Sequence, residues 1–276
     1  TLRGFMGDQS FFEACQSFQS TYKFKDVTTQ DMHTHFQAYT SLDLTGFFEQ
    51  WVKTPGFAHF DILSVLNDDD VYQLTIKQTP RFNQEIYTDV RLSIAAFTEG
   101  KRYDTTIIVS QSQQTFSITC PFKPEFWVID PDDKISDATT TDQVAITSEE
   151  QNLTHGMMKK VRLVDTNQDS AQLWVTHHWA PADGTYGKPQ GAQLSKERYW
   201  EVQGLWGENT QIAAQLIYSG LKATAPDYGF IDTDLIRSTE DSLVLLHRPN
   251  AQSPWTEASD YSKNMGSLFD KRGTID

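Results

Sequence analysis

The spacing of apolar positions changes once along the chain, near residue 57, and the change predicts two kinds of structure. Before it, Phe11, Cys15, Phe18 and Tyr22 recur on one helical face, predicting an amphipathic helix over residues 9–24 with Asp8 as its N-cap. Thr28 or Thr29, with Asp31 in the first turn, caps a second helix whose stripe is Met32, Phe36 and Tyr39. Asp43 caps a third, in which Leu44, Phe47, Phe48, Trp51 and Val52 make an i, i+3, i+4, i+7, i+8 stripe that Pro55 and Gly56 end. Three short helices with wide aromatic faces cannot bury those faces alone. Residues 1–56 therefore read as the end of a larger α-helical domain.

After residue 57 the period is two. Phe60/Ile62, Tyr72/Leu74/Ile76, Val90/Leu92/Ile94/Ala96, Ile107/Val109 and Phe116/Ile118/Cys120 alternate as half-buried strands do, with turn residues between them. They predict a β-sandwich over 57–131. Residues 132–156 are rich in Thr, Ser, Asp and Gly and read as a linker, with at most one short strand at 144–146. From 157 to 276 strand patterns return at Val161/Leu163, Leu173/Val175, 199–202, 212–218 and 243–247, predicting a second sandwich-like domain that looks truncated. The fold class expected is mainly β with an N-terminal α-helical segment and two antiparallel β-sandwich domains.

Composition narrows the partners. With 23 Lys and Arg against 37 Asp and Glu, the net charge is -14, so the basic footprint of a nucleic-acid binder is missing. No run of about 18 apolar residues suggests a membrane span. The two cysteines, Cys15 and Cys120, fall in different expected domains and predict no disulfide.

Candidate chemistry is sparse. None of the seven histidines stands in an HExxH or a Cys/His cluster. His33 and His35 diverge on a helix, and His177 and His178, adjacent in a strand, point to opposite faces, one of them beside Trp179. Asp165, Asn167 and Asp169 have the spacing that opens a calcium loop, but Ser170 stands where Gly is expected and no bidentate Glu follows. No nucleophile elbow, dinucleotide fingerprint or phosphate loop is present. Five of the seven tryptophans, Trp174, Trp179, Trp200, Trp206 and Trp255, crowd the last region, where they form either a sandwich core or a stacking platform for carbohydrate, a peptide or a cell-surface protein. In Tyr199-Trp200 one ring must point away from the core or into an interdomain contact. With Trp51 at the helix–sheet junction, these are the candidate binding or interface residues; no catalytic residue, metal ligand or cofactor is identified.

One resemblance adds to this. Leu2-Arg3-Gly4-Phe5-Met6-Gly7-Asp8 with Phe11-Phe12, Thr28-Thr29-Gln30-Asp31-Met32, Asp43-Leu44, Phe47-Phe48-Glu49-Gln50-Trp51-Val52, Pro55-Gly56-Phe57, residues 72–78 and Arg81-Phe82 together resemble the aminopeptidase N family of gluzincin zinc metallopeptidases, just downstream of the catalytic site. Residues 175–183, 195–202 and 241–248 are similar to the carboxy-terminal part of envelope-associated bacterial members. The resemblance implies a hydrolase parent using zinc, a periplasmic, cell-surface or secreted location, and the catalytic domain of the same polypeptide as partner. The family's HExxH, third zinc ligand, exopeptidase loop and transition-state Tyr precede the matched region and have no counterpart here, so it implies a non-catalytic role for these residues.

Overall fold

The computed structural model describes residues 1–276 apart from 83–84, 154–157, 165–169, 185, 208–209, 222–231, 237 and 266–270. It is mainly β with a helical N-terminal segment, as the change of period predicts. The segment comprises α1 (Leu2–Met6), α2 (Asp8–Thr21), α3 (Thr29–Gln37) and α4 (Thr45–Phe47), which runs into a π-helical turn at Phe48–Lys53. The expected capping box is present: Thr28 Oγ1 accepts from the Asp31 N–H at 3.2 Å, and the Asp31 carboxylate accepts from the Thr28 N–H at 2.9 Å. Asp8 is the first residue of α2 and pairs with Arg3 at 2.8 Å; Gly7, at φ 82°, is the residue that lets the chain turn between α1 and α2. The π turn breaks the expected stripe. Leu44, Phe47 and Phe48 are buried, while the wider turn swings Val52 out to solvent.

The first β unit contains β1 (Phe57–Asp68), β2 (Val71–Arg81), β3 (Val90–Thr98), β4 (Lys101–Val109), β5 (Gln113–Thr119) and β6 (Phe126–Ile129). They form two antiparallel three-stranded sheets, β1-β2-β5 and β4-β3-β6, which share one core of Phe60, Leu74, Ile76, Leu92, Ile94 and Trp127 among others. The second half comprises β7 (Thr139–Ile146), β8 (Met158–Leu163), β9 (Ala171–His178), β10 (Tyr199–Leu205), β11 (Ile212–Ser219), β12 (Leu246–His247), β13 (Thr256–Glu257), β14 (Lys263–Met265) and β15 (Arg272–Ile275). Here sheet β10-β9-β7 and sheet β14-β15-β11-β8 contribute to a core of Ile146, Val161, Leu163, Leu173 and Val175, and β12 and β13 form a two-stranded sheet. Cys15 and Cys120 are both free.

Residues 132–153 hold more strand than the sequence predicts. They include β7, which pairs with β9 over eight residues from Thr139↔His178 to Ile146↔Ala171. Upstream of β7, Ile135 and Ala138 are buried, and the Asp130 carboxylate accepts from the Ile135 N–H at 2.8 Å. Ala138 donates its N–H to Ala58 O at 2.7 Å and accepts from Trp179 N at 2.8 Å, so the connector is pinned to both β units. Its Thr-rich, weakly alternating first half hid most of a strand whose Val144 and Ile146 join the second core and whose Thr139 lies at the junction with the first unit.

Candidate functional site

Two junctions position Trp51 and Trp174, and the second also gathers a set of ionisable residues. The first lies between the helices and the first β unit. Trp51 packs against both the helical core and the first β core, with ring centroids 4.7 Å from Tyr87, 6.4 Å from Phe47 and 6.5 Å from Phe5. It is partly exposed overall, yet its indole Nε1 is sealed from solvent without a partner among the described residues. Beside it Gln50 accepts from the Thr88 N–H at 2.5 Å and donates to Thr88 Oγ1 at 3.2 Å. Trp51 thus packs between the two cores and stays partly exposed.

The second junction is a seam between the two β units, and alternation along the strands builds it. In β9, Leu173, Val175 and His177 turn toward the second core, while Trp174, Thr176 and His178 turn toward the first unit. Trp174 is buried between Phe97 and Phe126, at centroid distances of 4.8 and 5.1 Å, with Ala95, Val128 and Leu205 closing around it. β3 and β6 are consequently buried on both faces where they meet it, Ile94 and Trp127 facing their own core and Phe97 and Phe126 the seam.

The other part of the seam is polar. His59 of β1 and His178 of β9 approach at 2.9 Å, Nε2 to Nδ1, both buried. Tyr199 lies flat on His178, with centroids 4.2 Å apart and planes 8° from parallel, and donates its hydroxyl to the Asp61 carboxylate at 2.9 Å. His178 Nε2 stands 3.7 Å from Glu201 Oε2. A cavity of about 20 Å³, the size of one water, is lined here by Asp61, Asp137, Thr139, Thr176, His178 and Glu201. Two ion pairs cross the same seam, Arg81 with Glu197 at 2.8 Å and Lys77 with Asp183.

Burial sets the protonation of this cluster. It holds His59 well below the usual histidine range, with His178, Arg81 and Lys77 adding to the effect. It raises Asp61, partly offset by His178, and pushes the Asp137 carboxyl up to about 6 against the bonds it accepts from Thr139. Tyr199 is pushed well above the usual phenol range by burial and by Asp61.

The tryptophans do not form one platform. Trp174 is buried in the seam. Trp255 is buried with Arg248 4.4 Å over its ring, its Nε1 donating to Gly184 O at 3.2 Å. Trp179 and Trp200, each partly buried, flank the buried His177 at 4.2 and 5.1 Å, and burial together with Arg198 carries that imidazole down to about 3. Arg198, held by Asp232 at 2.7 Å, lies 4.5 Å over Trp200. Trp206, 40% exposed, alone offers a broad open face. The expected opposition of His177 and His178 is present, with His177 the one beside Trp179, and Tyr199 is the ring that leaves the core.

Asp165, Asn167 and Asp169 lie outside the described residues. Among the described residues no group of three or more His, Cys, Asp or Glu side chains is placed to hold a metal ion, and no helix is long and apolar enough to cross a membrane. Sequence reasoning missed the seam cluster. His59 and Asp61 alternate with Ala58, Phe60 and Ile62 as solvent-facing residues would, and their partners lie more than a hundred positions away. Comparison with family models, with curated proteins and with solved structures finds no match to this chain.

Proposed function

We propose that these residues are a non-catalytic supporting module of an aminopeptidase N-like zinc metallopeptidase, holding and positioning a catalytic domain of the same polypeptide. One observation carries this reading: the helical segment is fastened to the β unit on one side, and outside the small core it builds for itself it leaves large aromatic rings in solvent. Trp51, Gln50 and Tyr87 fix it to the first β unit. On its remaining surface α2 fully buries only Ala14, and Phe12 and Phe24 are 54% and 95% exposed. Helices of this kind gain their stability from what covers their apolar faces. The residues that carry the family resemblance lie along this same segment and the strands it joins.

The titratable cluster favours support over catalysis. It is enclosed at the seam, around a cavity with room for one water and none for a peptide. In the parent, zinc held by the HExxH would polarise a peptide carbonyl. Those ligands are absent from this sequence.

The coding sequence upstream of Thr1 tests the parentage: it should encode an HExxH with a downstream Glu, and its absence would refute the parentage. The purified chain should bind no stoichiometric zinc and release no amino acid from aminopeptidase substrates. Turnover by these residues alone would overturn the supporting role.

A further inference from the structure

The faces that the two β units turn toward each other are of two kinds. One is aromatic, with Trp174 between Phe97 and Phe126. The other is ionisable and organised around His59 and His178. We propose that the ionisable part is an acid-releasable latch: the β units are joined by a histidine pair with room for one hydrogen between its rings, and a further proton, on His59, parts them.

The geometry carries the argument. At 2.9 Å one ring nitrogen must donate and the other accept. If both carried a proton, two N–H groups would point at each other across that gap, between two cationic rings taken out of water. The surroundings discriminate between the rings. His178 has Glu201 Oε2 3.7 Å from its outer nitrogen, so a charge there has a carboxylate in reach. Burial, His178, Arg81 and Lys77 all act against a charge on His59.

The remaining ionisable groups come from every element at the seam. Asp61 lies on β1 itself; from β2 come Lys77 and Arg81, each already engaged with a carboxylate of the second unit. The connector brings Asp130 and Asp137, with Asp130 acting on Asp137. From β9 comes His177; from β10 come Tyr199 and Glu201; and Arg248 acts on Asp61 and Tyr199 from beyond them.

Burial and these cations keep His59 neutral in the closed seam well below the usual histidine range. Once wet it would take up a proton at about 6.5. Its contribution to closure is therefore complete above that value and is lost as pH falls. Asp61 and Asp137, raised by burial, act in the opposite sense, because they bind protons more readily in the closed seam. The His59 contribution is isolated by comparing wild type with His59→Gln, whose amide can still donate or accept but cannot become charged.

Amide hydrogen exchange of both proteins across a pH series, corrected for chemical exchange rates, tests the latch on the full chain. Seam peptides 57–62, 172–178 and 199–203 should open more in wild type than in H59Q, by a ratio rising roughly tenfold per pH unit below about 6.5. Peptides in the two cores, 90–94 and 158–163, should hold steady. Identical pH profiles in the two proteins would overturn the proposal, as would core peptides opening in step with the seam. Should H59Q not fold, the ring-proton resonance of His59 in wild type decides the matter: titration near the ordinary histidine value in the closed protein refutes the latch. None of these outcomes bears on the parent enzyme.

Discussion

Replacing Asp137 by Asn should stabilise this protein at neutral pH and leave it nearly unchanged in acid. Asn keeps an oxygen where the carboxylate accepts from Thr139 N at 3.1 Å and from Thr139 Oγ1 at 2.6 Å, so what it removes is the charge. Holding the carboxyl at about 6 rather than 3.8 costs the folded chain about 3 kcal/mol once both folded and unfolded chains are ionised, at about 1.4 kcal/mol per pH unit. Because the residue keeps some exposure, solvent screening trims this to ~2 kcal/mol. A raised carboxyl binds its proton more readily when folded. Its penalty is therefore absent below 3.8, grows between 3.8 and about 6, and is complete above. Urea unfolding of wild type and D137N at about pH 4 and about pH 8 reads the gap directly. A variant no more stable than wild type at the higher pH, or a gap of equal size at both, would refute the claim that burial of this carboxylate is strained.

Three further outcomes follow from the packing. Trp174→Ala should cost about 3–5 kcal/mol by opening a cavity between Phe97 and Phe126, whereas Trp206→Ala at its exposed site should stay within about 0.5 kcal/mol; paired thermal melts separate them. Arg198→Ala should destabilise by about 3–5 kcal/mol, because it leaves Asp232 buried and unpaired, and the double variant R198M/D232L should recover part of that loss in the same assay. Thr28→Ala should remove the cap of α3 at a cost of about 1 kcal/mol, seen as a loss of helical signal at lower temperature.

What could be read from the sequence was whatever repeats with one period against one core. The alternation at Tyr72, Leu74 and Ile76 marks β2 because one side of that strand faces the core and the other does not. Thr28 and Asp31 announce a helix start because the capping box is local chemistry. β6 escaped because Phe126 to Ile129 is apolar throughout, with Trp127 facing one core and Phe126 and Val128 another contact. Of β7 only the end at 144–146 shows in the sequence, for the converse reason. Its Thr141 hydroxyl pairs with Thr176 at 3.1 Å, so threonines do in the seam what aliphatic residues do in a core. The π turn after Phe47 has no periodic signature in so short a helix, and Val52 was consequently assigned to the wrong side. His59 and His178 are 119 positions apart, and no local pattern connects them.

The double-sided burial of β3 and β6 also bears on how the chain is made. Phe97 and Phe126 belong to strands whose own core can close as soon as the first unit has been synthesised, yet Trp174, which covers them, arrives 48 residues after Phe126. At translation rates of about 5–20 residues per second that interval lasts several seconds, longer than many small domains need to fold. During it an aromatic patch stands ready and uncovered on a nearly finished unit. The cell must shield that patch or release the next stretch promptly, and a pause in translation between residues 126 and 174 should raise the yield of aggregate more than a pause after 178.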